Sequence, residues 1–209
     1  MSVWGRIFAA GYDRFLAAAE RRGLTEVRRR VVGQATGRVL EIGAGTGLNL
    51  AHYGPGAVEL VLTEPEAPMA SRLRRKLSSS GRTAEVVVAP GERLPFPDQS
   101  FDAAVSTLVL CTVPEPLAAL AELRRVLRPG APLLFAEHVR ADEPGLAAWQ
   151  DRLHPLWVRF GHGCHCNRDT LSAITQAGFR VQEVRHGRIA GAPPIVRPLI
   201  EGRALAPEA

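Results

Sequence analysis

Long hydrophobic runs are missing from this chain of 209 residues. Its longest uncharged apolar stretch, Ala103 to Pro114, carries Ser106, Thr107 and Thr112 and falls short of the roughly 18–20 residues that cross a bilayer. No basic-then-apolar leader with a small-residue cleavage site opens the chain, so the expected location is cytoplasmic. Cysteine is scarce: Cys111, Cys164 and Cys166 make an odd, small set that argues for a reducing compartment and against a disulfide framework. Lysine is almost absent, with Lys76 alone, so arginine carries the net charge of +5. Seven arginines against three acids give +4 over Met1–Val32, a bias read as compositional. A basic stripe interleaved with aromatic platforms is lacking, and nucleic acid is not an expected partner. Internal repeats are also lacking. What remains is an ordinary globular composition, 46% hydrophobic and 22% charged, which excludes disordered and collagen-like classes. The length suits one domain whose core needs neither disulfides nor metal.

Residues 1–32 read as helical, because Trp4, Ile7, Phe8, Tyr12, Phe15, Leu16 and Ala19 recur near a 3.6-residue period. Gly23 can end this helix, and a second begins near Thr25. Strands and helices then alternate. Strands are expected at Arg38–Ile42, Val58–Thr63, Ala84–Ala89, Phe101–Ser106 and Pro132–Glu137. A helix start should follow the glycine-rich turn after the first strand, with further helices at about Pro68–Leu77 and Glu115–Leu127. Such alternation implies right-handed crossovers and a mostly parallel sheet with helices on both faces. Beyond strand five come a helix at Glu143–Phe160, a Gly/His/Cys segment, and a helix at Asn167–Ala177 with Asn167 as N-cap and Gly178 as stop. The final strands, Phe179–Arg185 and about Leu199–Leu205, are joined too briefly for a crossover helix and should pair antiparallel.

Val39-Leu40-Glu41-Ile42-Gly43-Ala44-Gly45-Thr46-Gly47 is the strongest signal. A hydrophobic strand delivers three glycines at alternate positions, where the backbone can turn sharply and a ligand can approach the main chain. The dinucleotide fingerprint places its third glycine one position later and asks for no acid before the first. Glu41 beside the loop suits a ligand with an ammonium group and sits badly with a pyrophosphate. The second strand ends Leu62-Thr63-Glu64-Pro65, and an acid there can accept hydrogen bonds from both ribose hydroxyls. An adenosine-like ligand without a phosphate cluster fits both acids, and S-adenosylmethionine is such a molecule.

These residues resemble the class I methyltransferase family, whose motif of two hydrophobic residues, an acid, another hydrophobic residue and G-x-G-x-G is matched by Val39–Gly47. The likeness continues through Leu94-Pro95-Phe96, Ser100-Phe101-Asp102 and Leu123 to Gly130. It implies an α/β fold: a seven-stranded Rossmann-like sheet with helices on both faces and the last strand antiparallel beside strand five. It implies S-adenosylmethionine as methyl donor, S-adenosylhomocysteine as product, and cofactor contacts at Glu41, Gly43, Ala44, Gly45, Gly47, Glu64, Pro65, Gly91, Glu92, Ser106 and Thr107. Most members carry Gly-Asp-Ala after strand three, with the aspartate on the adenine amine. Ala89-Pro90-Gly91-Glu92 stands here, so the backbone of Gly91 or Glu92 must serve instead.

Leu108–Val113, Glu137-His138-Val139, Gly163–Thr170 and Val196-Arg197-Pro198 are similar to the methyltransferase-like thiol S-methyltransferases. Members in animals carry an N-terminal hydrophobic membrane anchor and methylate hydrogen sulfide and small alkyl thiols. Residues 1–32 read as an amphipathic helix and not as such a segment, so attachment through an anchor of that kind is not expected. The resemblance implies a small-molecule acceptor, a thiol in the first instance. The alternatives are carbon methylation of a quinone precursor, nitrogen methylation of a phospholipid headgroup, or cofactor binding without turnover. His138, just past strand five, is either the group that takes the thiol proton or a structural histidine, and His165 is the second candidate. The run His162-Gly163-Cys164-His165-Cys166 lacks the twice-repeated ligand pairs of structural zinc, so no metal is expected. Cys111, Cys164 and Cys166 read as small core residues. Trp149, Trp157 and Phe160 are candidates for an apolar pocket. A single domain over 1–209 is expected, with residues 1–32 as a helical lid and 143–177 as a helical insertion over the pocket. The first helix, with Trp4 and Phe8 on its apolar face, could instead lie peripherally on a membrane; the lid is favoured because Asp13 and Glu20 dilute its basic face.

Overall fold

The computed structural model describes residues 3–208, with side chains from residue 11 onward. Seven strands form one sheet: β1 (Gly37–Ile42), β2 (Ala57–Thr63), β3 (Glu85–Val87), β4 (Ala103–Thr107), β5 (Pro132–His138), β6 (Arg180–Arg188) and β7 (Pro198–Leu205). Their spatial order is β3-β2-β1-β4-β5-β7-β6. β1 to β5 run parallel, whereas β7 is antiparallel to both β5 and β6. The expected pairing of the last two strands and the α/β class are both found.

Alternation along the strands builds the two layers. Val39, Ala103, Val105, Leu134 and Ala136 face one side and pack with Val27, Val31 and Val32 of α2 (Thr25–Val32). Leu40, Ile42, Ala104, Leu133 and Phe135 face the other, against Leu120 and Leu123 of α4 (Pro116–Val126) and Ile174 of α6 (Thr170–Gln176). A period of two on strands buried from both sides is what a parallel sheet covered by helices requires. Each large aliphatic side chain so buried contributes about 1.5–3 kcal/mol.

Three local expectations are corrected, and the segment 143–177 is placed. The segment after the glycine loop is a run of turns from Gly45 to His52, and the α-helix that should start there does not form. Gly54 and Pro55 stop any continuation, and the side chains of Asn49 and Tyr53 are drawn inward to Glu41. Asp169 caps α6, accepting from Ser172 N at 3.0 Å, while Asn167 lies outside the helix and donates to Asp151. α6 packs against α4 in the helical layer, so the part of 143–177 nearest the strand ends is α5 (Pro144–Phe160) with the loop after it. Trp149 and Phe160 are exposed on α5, and only Trp157 turns inward.

At the N-terminus α1 (Val3–Ala19) runs through a wide turn at Glu20–Leu24 into α2, with Gly23 at φ 131° making the bend. The side chains of Trp4, Ile7 and Phe8 lie outside the described residues, so the apolar face assigned to them is not described. No helix of the described residues is long and apolar enough to cross a membrane.

Candidate active site

The chain turns one way from β1 to β2 and the other way to β4, so the carboxyl ends of β1 and β4 flank a topological switch point. That is where open α/β sheets bind ligands. Gly43, Gly45 and Gly47 all hold positive φ there, at 56°, 57° and 82°. Their surroundings differ. A Cβ on Gly43 would stand 2.6 Å from Val109 Cγ1, and one on Gly47 2.7 Å from Leu73 Cδ1. A Cβ on Gly45 would meet nothing nearer than Gly43 O and Tyr12 Cε1, both at 3.9 Å. Gly43 and Gly47 are therefore required by packing, whereas Gly45 presents a bare backbone to open space. A ligand that must touch the main chain fits at Gly45.

Glu64 closes this loop. Its carboxylate accepts from Gly45 N and from Glu66 N, each at 2.9 Å. Burial pushes its pKa up, against the two backbone N–H groups that hold it down. Ala44 N donates to Thr63 O and fixes the loop to β2, while Pro65 beyond it is exposed. Past β3, Gly91 is buried and Glu92 Oε1 accepts from Glu115 N at 3.4 Å.

Glu41 is not turned to the loop surface. It is buried under β1, where Oε2 accepts from Tyr53 at 2.6 Å and Oε1 from Asn49 at 2.8 Å. Burial raises its pKa, opposed by those two bonds and by Arg28. Arg28, reaching in from α2, donates to Asn49 Oδ1 at 2.8 Å and to Thr107 Oγ1 at 3.1 Å, and its Nε donates to Glu20 at 2.9 Å. Asn49 also donates to Thr107 Oγ1. This buried network ties the glycine loop to α2 and β4. Arg28, Asn49 and Tyr53 belong to no motif, and nothing in their spacing announced them. Thr107 belongs to the network, and Ser106 donates to Glu137 Oε1 at 2.7 Å.

Glu137 is fully buried at the end of β5 and also accepts from Val109 N at 3.1 Å. It thereby shapes the loop after β4, in which Leu108 has φ 58°. Burial raises its pKa while Ser106 and the loop N–H groups oppose the rise.

That loop carries Cys111 to a cluster absent from the sequence reading. Sulfur and nitrogen atoms of Cys111, His138 and Cys164, all buried, lie within 4.8 Å of one another. His138 Nε2 stands 2.8 Å from Cys164 Sγ, and Trp157 Nε1 donates to the same sulfur at 3.1 Å. The Cys164 thiol is held down, to about 4, by the bond from Cys111 and then by His138 and Trp157, against burial. That same bond, with burial, drives Cys111 up. The two cysteines read as inert core are thus gathered with a histidine, and spacing could not show it because Cys111 arrives on the loop after β4 and His138 on the end of β5. His165 is not part of the cluster. Its Nδ1 lies 2.8 Å from His154 Nε2, and its pKa is lowered by burial and by Arg168. Cys166 is buried, its Sγ donating to Gln150 O, and burial pushes it up to about 11.

Two further elements reach the glycine loop and its neighbours. Asp13 of α1 accepts from Thr46 and lies 3.3 Å from Lys76 of α3 (Ala67–Ser80). Tyr12 beside it stands over Gly45, its phenol pushed up to about 12 by burial, opposed by Arg28 and aided by Cys111 and Glu64. From the opposite side His162 reaches Glu66, next to Glu64.

Sheet order, reversed last strand and glycine loop together define a class I methyltransferase fold. A family model, the methyltransferase domain, matches residues 40–135. The chain is 31% identical to thiol S-methyltransferase TMT1A of Homo sapiens over 95% of its own length and 82% of that protein. It is 40% identical to human TMT1B over 69% of this chain and 62% of that one, so it spans about three fifths of that relative. Over about half its length it is 38% identical to the ubiquinone/menaquinone biosynthesis C-methyltransferase UbiE of Bordetella avium, covering 51% of this chain and 43% of that one. Among solved structures, a methyltransferase of Thermotoga maritima superposes with TM-score 0.69 over 96% of this chain and 97% of its own, at 24% identity, a likeness of fold. The chain belongs to the class I S-adenosylmethionine-dependent methyltransferases and stands close to the thiol S-methyltransferase family. S-adenosylmethionine is the methyl donor of that class.

Proposed function

We propose that this protein transfers the methyl group of S-adenosylmethionine to the sulfur of a small thiol. The observation that carries the reading is the similarity to human TMT1A along nearly the whole chain. The chemistry at the acceptor side supports it: Cys111 from the loop after β4, His138 at the end of β5 and Cys164 from the loop after α5 come together there.

When bound, S-adenosylmethionine supplies a methyl carbon activated by a sulfonium sulfur. Gly45 and its neighbours offer a backbone surface for close approach, and Glu64 can exchange its two backbone partners for ribose hydroxyls. The backbone of Gly91 and Glu92 borders the adenine position. Glu41 acts from beneath, through Asn49 and Arg28, by fixing the loop. α1 serves as a lid: Asp13 latches it to Thr46, and Tyr12 covers the loop and excludes water. The acceptor thiol would lose its proton to solvent and its sulfur would take the methyl group, the electron pair of the broken carbon–sulfonium bond staying on the donor's sulfur. The chain's main contribution is to hold the reacting atoms in line and dry.

The test is an acceptor panel with purified protein and methyl-labelled donor: a short alkyl thiol, sulfide, a demethylated quinol and phosphatidylethanolamine vesicles. A labelled thioether and S-adenosylhomocysteine in equal amounts are expected with the thiol. Turnover on quinol or lipid with none on any thiol would overturn the reading in favour of carbon or nitrogen methylation. Binding without turnover on every acceptor would leave a cofactor-binding protein.

A further inference from the structure

We propose that Cys111, His138 and Cys164 form a zinc site whose fourth position takes the acceptor thiolate. Metal binding stands on the geometry alone, and the occupant of the fourth position rests on the thiol reading above.

Three donors of the right chemistry converge from three separate places in the chain: Cys111 in the loop after β4, His138 at the end of β5, and Cys164 in the loop after α5. All their ligand atoms lie within 4.8 Å of one another. Tetrahedral zinc with two sulfurs and one nitrogen needs those atoms roughly 3.5–3.8 Å apart, given bonds near 2.3 and 2.0 Å. The His138–Cys164 pair, at 2.8 Å, need open by only about 0.7 Å to reach that spacing. His138 aims Nε2 at the cluster. Its Nδ1 is buried without a hydrogen-bond partner among the described residues, so the ring's polar contact there is the one at Nε2, toward Cys164.

Two thiolates and an imidazole form a soft, borderline donor set that selects zinc over magnesium or calcium. Charge argues the same way. Zinc with two thiolates is neutral, which a site buried among Leu153, Trp157, Ile195 and Val196 can accept. A third thiolate from substrate makes the whole singly negative, and the Arg168 guanidinium lies alongside, bonded to Leu110 O and Val113 O. The Trp157 N–H on Cys164 is the outer hydrogen bond that orients a metal-bound sulfur. Three protein ligands leave one position open, the arrangement of catalytic zinc. A thiol entering it releases its proton to solvent and is held as a thiolate, the species that accepts a methyl group. No oxidation state changes.

The experiment uses the full chain, reduced, stripped with a chelator and titrated with cobalt(II) in place of zinc. One equivalent should bind with a thiolate-to-cobalt charge-transfer band and tetrahedral visible bands. Zinc should displace it, and 2-mercaptoethanol should shift the band. Cys111→Ser, Cys164→Ser and His138→Gln should each lose the signature, whereas Cys166→Ser keeps it. Where a variant fails to fold, X-ray absorption of the zinc-loaded wild type decides: two sulfurs and one nitrogen from the protein support the site, and an all-oxygen shell overturns it. Absence of stoichiometric binding by the folded wild type overturns it too. Thiol methylation at full rate in chelator, with no cobalt signature, removes the metal and leaves the thiol reading intact. Stoichiometric metal without turnover on thiols does the reverse.

Discussion

Replacing Gly45 by alanine separates ligand contact from packing. A Cβ there meets only Gly43 O and Tyr12 Cε1 at 3.9 Å, so the folded chain accommodates it. The cost is the positive φ of 57°, about 1–2 kcal/mol for a residue with a Cβ. For a chain of this size that lowers the melting temperature by about 2–8 °C. Gly43→Ala carries the same backbone cost plus the overlap of its Cβ with Val109 at 2.6 Å, an overpacking term of about 1–3 kcal/mol. Its melting temperature should fall about 4–20 °C. Binding should show its own pattern. At Gly45 the methyl group occupies the surface that the ligand touches, and a comparable steric term weakens S-adenosylhomocysteine by about 5–150-fold. Thermal denaturation and isothermal titration on the two variants and the wild type measure both quantities. Unchanged affinity in a folded Gly45→Ala variant would refute the placement of the cofactor on this loop. A loss of stability at Gly45 as large as that at Gly43 would refute the open-space argument.

Glu64→Ala should weaken S-adenosylhomocysteine by about 10–100-fold, since hydrogen bonds to a charged group are worth about 1.5–3 kcal/mol; calorimetry showing no change excludes it from the ribose. Asn49→Ala breaks bonds to Glu41, Arg28 and Thr107 together and should cost about 3 kcal/mol in urea denaturation; a loss under about 1 kcal/mol would mean the network relaxes around water. The chain has two tyrosines, and both phenols are raised, Tyr12 to about 12 by burial and Tyr53 well above 10 by burial and Glu41. The folded state therefore holds protons that the unfolded state sheds above pH 10. The stabilising effect of Tyr12 is complete below pH 10 and lost as pH rises through about 12, and that of Tyr53 is likewise complete below pH 10 and lost only as pH rises through its own raised pKa. Absorbance at the tyrosinate band should stay flat on the native chain until it unfolds; ionisation of either tyrosine near pH 10 in folded protein contradicts their burial.

Strand positions, their alternation and the reversed last pair were legible in the sequence because each rests on local periodicity and loop length. The glycine loop and Glu64 were legible because a ligand that touches backbone needs glycine at defined steps from a strand end. The residues around them were not. Glu41 was legible as an acid at the right step, yet its direction was decided by Asn49 and Tyr53, which the turn after Gly47 brings beneath it. Arg28 lies on a helix whose charge pattern reads as surface, and only the packing of α2 on the sheet buries it against Thr107. Cys111, His138 and Cys164 come from two loops and a strand end, and no spacing rule joins residues 53 positions apart. Periodicity and motif are properties of neighbours along the chain. The burial of a charge and the meeting of sulfur with imidazole depend on which loops the sheet order brings to one edge, and that order exists only once the chain has folded.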